Sequence, residues 1–151
     1  MTSPDPATIE DFVRGTLGCQ CPDDVFRSIA IDRLAPVAGR PRVLQLIVGS
    51  RLLIHIVATP PDDLTSGWIE QLAANGRATR DRHGCNRFRL VIASPDALAL
   101  PRDIDTRFVR AVAGDDRAHL HLLAPGQLPA GLEVPSAPAC SSPLAADTVA
   151  K

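Results

Sequence analysis

The feature that most constrains this fold is a pair of apolar runs, "RVLQLIV" over 42–48 and "RLLIHIVA" over 51–58, joined around Gly49 and Ser50. Side chains alternate along a strand, so the length of the turn decides which residues share a face. A three-residue loop of Gly49, Ser50 and Arg51 pairs Val48 with Leu52. Leu44, Leu46, Ile54 and Ile56 then fall on one face, and Gln45 lies opposite His55 on the other. A two-residue loop would set Gln45 against Ile54 and mix the faces, so the three-residue register is predicted, with His55 satisfied by Gln45.

The rest of the chain is punctuated around this hairpin. Ile9, Phe12, Val13 and Leu17 recur at helical spacing, Thr8 and Asp11 resemble a capping box, and Gly18 is a good terminator, which predicts a first helix from Pro6 to Leu17. Pro22, Asp23 and Asp24 open a short helical turn. In "FRSIAIDRL", Ile29 and Ile31 alternate with Ser28, Ala30 and Asp32, predicting a strand with one face better covered. Pro60-Pro61-Asp62-Asp63 starts a long helix with Leu64, Trp68, Leu72 and Ala73 inward, Arg77, Arg80 and Arg82 in its later turns, and Gly84 as its stop. "RFRLVIAS" is the next strand. Arg102 to Ala113 is a third helix, with Ile104, Phe108, Val109 and Val112 inward, and "AHLHLLA" is the last strand.

The predicted order is α-βββ-α-β-α-β, an α/β (mixed α+β) sheet in which a three-strand antiparallel meander is continued by parallel strands. Over residues 6 to 124 this order resembles the restriction-endonuclease-like and ribonuclease-H-like folds, a resemblance of topology that does not carry activity with it. The endonuclease group needs an acidic-x-Lys pair on its third strand to hold a metal, and "LLIHIVA" has neither. The ribonuclease group places carboxylates on the first strand, the first long helix and the end of the fourth strand. Asp32, Glu70 and Asp96 fall near those places, but solvated faces account for such acids, and Asp96 in "SPDA" is a good turn residue.

At 151 residues, 45% hydrophobic and 22% charged, the chain is sized for one core-bearing domain. A net charge of −1 offers no global attraction to nucleic acid or to an anionic membrane. The only lysine is Lys151, so the many arginines read as a coding preference rather than a phosphate-binding patch. The N-terminus lacks the basic start and apolar core of a secretory signal, and Arg51 interrupts the longest apolar stretch, so a cytoplasmic protein with reduced thiols is expected. From Pro125 to Lys151, five of the 14 prolines crowd together without periodicity. The expected division is a domain over 1–124 and a flexible Pro/Ala/Ser-rich tail over 125–151, with Cys140 idle in the tail. Removal of Gly126 to Lys151 should then leave the melting temperature unchanged.

Chemistry concentrates at "GCQCPDD", where Cys19 and Cys21 stand one residue apart. If the first and fourth strands run the same way, the segments entering them share one sheet edge, namely Gly18-Cys19-Gln20-Cys21 and His83-Gly84-Cys85. Were those strands neighbours, Cys19, Cys21, Cys85 and His83 would match the ligand count of a zinc site, or of a site for another thiophilic metal. The same residues also suit packing thiols or a redox pair, since a disulfide within Cys-Gln-Cys is tight and easily reduced. The opposite edge offers Thr59, Asp62, Ser94 and Asp96, without a phosphate loop or nucleophile elbow. His119 and His121 face one way on the last strand, as an exposed polar face would. These features predict a cytoplasmic accessory protein, with no catalytic constellation, that uses its Cys-x-Cys turn for metal or thiol-redox work. The alternative is a non-enzymatic interaction module with incidental thiols. The expected partner is another protein, not nucleic acid or a membrane.

Overall fold

A computed structural model of the chain describes residues 5–20, 22–34, 42–57, 67–94, 102–129 and 131–132. Five strands, β1 (Ile29–Arg33), β2 (Val43–Val48), β3 (Leu52–Val57), β4 (Arg87–Ala93) and β5 (Ala118–Leu123), form one sheet in the order β1-β2-β3-β4-β5. The first three pair antiparallel, and β4 and β5 continue the sheet in parallel. Val48 pairs with Leu52 and Gln45 with His55, the three-residue register. Gly49 and Ser50 take left-handed φ of 62° and 57°, which lets so short a loop close.

The sheet is covered on both faces. Leu44, Leu46, Ile54, Ile56 and Val91 pack with Ile9, Phe12 and Val13 of the N-terminal segment. Leu53, Phe88, Leu90 and Ile92 point the other way, against α2 (Trp68–Arg82) and α3 (Ile104–Ala111). Both faces of β3 and β4 are thus buried, which explains why these strands read as nearly continuous apolar runs.

Several expectations need correction. The first helix is α1 (Pro6–Asp11) followed by a π-helical turn over Phe12–Thr16, and its N-cap is Asp5, whose carboxylate accepts from the Ala7 amide at 3.4 Å, not Thr8. Ile9, Phe12, Val13 and Leu17 keep the predicted apolar face, but the wider turn bonds the Leu17 amide to the Phe12 carbonyl. Ala30 to Arg33 of β1 are all exposed, so this edge strand is less covered than its alternation implied. Val109 is 56% exposed, whereas Ile104, Phe108 and Val112, spaced four apart on one stripe of the helix, are buried. β1 does not neighbour β4, because β2 and β3 lie between them. Finally, the core does not end at Ala124: Leu132 is 0% exposed within the cluster beneath the N-terminal helix, with Leu128 packed against it. The Pro60–Pro61 helix start, Leu64 and Cys140 lie outside the described residues.

Candidate anion-binding cleft

A cleft of about 440 Å³ opens at the edge of the sheet where the chain enters β3 and β4. Gly18, Cys19 and Gln20 line it together with Pro22, Val25, Val48 and Leu52. Arg51, Arg87 and Arg89 supply the charge, with Asn86 between them. Local structure fixes each wall. Gly18 adopts φ 71° and ends the π-helical turn, so the Cys19 amide turns back to the Val13 carbonyl at 3.0 Å. The Arg51 carbonyl accepts from the amides of Asn86 and Arg87, at 2.7 and 3.1 Å, tying the hairpin loop to the start of β4.

Arg89 is the unusual member. It lies on β4, only 8% exposed, on the face covered by the N-terminal helical segment. Nη1 donates to the Leu17 carbonyl at 3.0 Å and lies 2.8 Å from Nε2 of His121. The Leu17 carbonyl is one of the orphan acceptors of a helix end, and its partial negative charge suits a cation. Both acceptors are neutral, however, and the buried Nε has no hydrogen-bond partner among the described residues. Among the described residues Arg89 forms no ion pair, nor do Arg51 and Arg87, whereas Arg14, Arg77, Arg80, Arg107 and Arg117 all reach carboxylates. Burial, reinforced by Arg87, lowers the pKa of the Arg89 guanidinium. A buried cation without a counter-charge is costly to hold, because the desolvation it suffers is not offset.

The histidines divide by environment. His121, accepting from Arg89 through Nε2, has its pKa lowered to about 4 by burial, with Arg89 and His119 adding to the effect. His119 is lowered too, again by burial first and then by Arg89. His55 contacts Gln45 across the strand pair at 3.0 Å, Nε2 to Oε1, and burial lowers it to about 4.

The residues singled out for a shared thiol site are not brought together. Cys19 belongs to the core cluster on one face of the sheet and Cys85 to the cluster on the other. Cys19 is held in a disulfide. Its partner is not Cys85, which is a free, buried thiol whose pKa burial raises. His83 is exposed at the end of α2, its amide bonded to the Thr79 carbonyl, and Cys21 lies outside the described residues. Among the described residues no group of three or more His, Cys, Asp or Glu side chains is placed to hold a metal ion. The carboxylate triplet is likewise dispersed: Asp32 is exposed on edge strand β1, Glu70 on α2 holds Arg107 through two bonds of 2.8 and 2.9 Å, and Asp96 lies outside the described residues. At the opposite edge Ser94 is buried, while Thr59, Asp62 and Asp96 are not described.

Gly18, Cys19 and Gln20 thus meet the start of β4 at one sheet edge, through the cleft they line with Asn86 and Arg87, and the charged side chains there are arginines. Arg87 and Arg89 carried a signal: two arginines at period two in "RFRLVIAS", where a strand buried on both faces should read apolar throughout. No helix among the described residues is long and apolar enough to cross a membrane. Comparison of the chain with protein-family models, with curated proteins and with solved structures finds no match.

Proposed function

We propose that this chain is an accessory binding module that takes an anionic ligand into the cleft at the amino ends of β3 and β4. The observation that carries this reading is Arg89, buried, lining the cleft and without a carboxylate partner among the described residues. Guanidinium forks bind phosphate and carboxylate oxygens well, and a bound anion would supply the missing counter-charge. Titration calorimetry with inorganic phosphate at low ionic strength tests it. Saturable one-site binding is expected, weakened about tenfold or more by the exposed double variant Arg51→Gln/Arg87→Gln and unaltered by Arg110→Gln on α3. Absence of binding, or equal binding by the double variant, would overturn the reading.

A second reading keeps the thiol chemistry expected from "GCQC". It is favoured by the position of Cys19, disulfide-bonded and lining the same cleft. Reduction would then change the wall against which the ligand rests, and phosphate affinity should differ between reducing and non-reducing buffer; equal affinities would remove this reading. Zinc or another thiophilic ion at Cys19, Cys21, Cys85 and His83 has less support, since Cys19 and Cys85 lie in opposite layers. Elemental analysis of freshly purified protein decides it. The finer resemblance to restriction-endonuclease-like or ribonuclease-H-like topology stays within this proposal, supported by the meander continued by two parallel strands.

A further inference from the structure

Resting on that anion-binding reading, we infer that the ligand is a small organic phosphate monoester, its phosphoryl group held by Arg51, Arg87 and Arg89 and its compact aliphatic body lying against Pro22. Size argues first. At about 30 Å³ per water, a cleft of about 440 Å³ holds roughly fifteen water-sized volumes, about three times what the five heavy atoms of inorganic phosphate would fill. Its volume falls within the range of small-molecule sites.

The mixed lining argues second. Arginines of the hairpin loop and β4 share the cleft with Pro22, which is exposed, and with Val25, Val48 and Leu52, which are nearly or fully buried behind it. An ester places its anionic head on the arginines and its carbon chain against Pro22, and each methylene taken from water is worth about fourfold in affinity. Gln20 and Asn86 add amide groups to the lining.

Charge argues third. Three guanidinium groups without an ion-pair partner among the described residues exceed what a single carboxylate would offset. A phosphomonoester carries about −1.5 to −2 at neutral pH. No aromatic side chain lines the cleft among the described residues, so it lacks the ring platform on which a nucleobase would stack.

Calorimetry on the full chain with four probes tests this: inorganic phosphate, n-butyl phosphate, pentanoate and n-butanol. Butyl phosphate should bind about tenfold or more tightly than inorganic phosphate, pentanoate at least tenfold more weakly than butyl phosphate, and butanol not measurably. Butyl phosphate binding no better than inorganic phosphate would overturn the organic body while leaving the anion site intact. Pentanoate matching butyl phosphate would overturn the phosphoryl assignment. Failure of all four would overturn the anion-binding reading itself.

Discussion

Arg89 Nη1 and His121 Nε2 lie 2.8 Å apart on the adjacent parallel strands β4 and β5. A guanidinium can only donate, so Nε2 accepts and the histidine proton resides on Nδ1. The pair is thus one cation beside one neutral ring, and the ring orients the guanidinium without offsetting its charge. The Leu17 carbonyl fixes a second direction. Arg89 is held in place twice and neutralised by neither contact, as a preformed anion receptor requires.

The same burial makes stability depend on pH. The pKa values of His55 and His121 are lowered from 6.5 to about 4 in the folded chain, so between those values the unfolded chain binds more protons. Stability should be full above about pH 6.5 and decline as the pH falls toward 4. His55, 2% exposed, contributes on the order of 3 kcal/mol across that window, and the less buried His121 contributes less. Urea unfolding at a series of pH values should show a positive slope there, with His55→Gln removing about one proton of it. An unchanged slope in that variant would contradict the assignment.

Gly76 on α2 faces Phe88 on β4 so closely that an added Cβ would lie 1.9 Å from the ring's Cζ. The ring cannot withdraw, since it is fully buried, edge-on to His55 at 5.5 Å and beside Phe108 at 6.5 Å. Gly76→Ala should therefore destabilise the fold by about 3 kcal/mol, despite alanine's better helix propensity. The Gly126→Ala control, with nothing within 4 Å of the new atom, should leave the urea midpoint in place. Equal midpoints for both variants would show that helix and sheet are less tightly apposed than described.

Leu132 reverses the expectation drawn from its proline-rich surroundings. Because it is fully buried under the N-terminal helical segment, Leu132→Ala should cost about 3 kcal/mol, and deletion of Gly126–Lys151 should lower the melting temperature. A deletion that melts with the parent chain would place the domain boundary back at Ala124.

What could be read from the chain follows from range. The Gln45–His55 pairing, the stop at Gly84 and the alternation of Leu44 and Leu46 depend on neighbours within a few residues, where period and turn chemistry decide. The adjacency of β3 and β4 depends on where a long crossover returns, which no local pattern in "RFRLVIAS" encodes. Leu132 was hidden because composition reports the average of a segment and not one anchoring side chain. Arg89 was visible as an anomaly in a buried strand, but an arginine-rich, nearly lysine-free composition masked it as bias.

The central claim is that the buried Arg89 guanidinium awaits an anion, and the side-chain Nε–Hε resonances of the arginines report on this directly. In a nitrogen-15 NMR titration of the full chain with inorganic phosphate, Arg89 should shift saturably, with Arg51 and Arg87 following the same binding curve. Arg80, already paired with Asp115 at 2.7 Å in the opposite layer, and Arg110 on α3 should stay fixed. An Arg89 resonance that does not move, or one that moves no more than those of Arg80 and Arg110, would contradict the account.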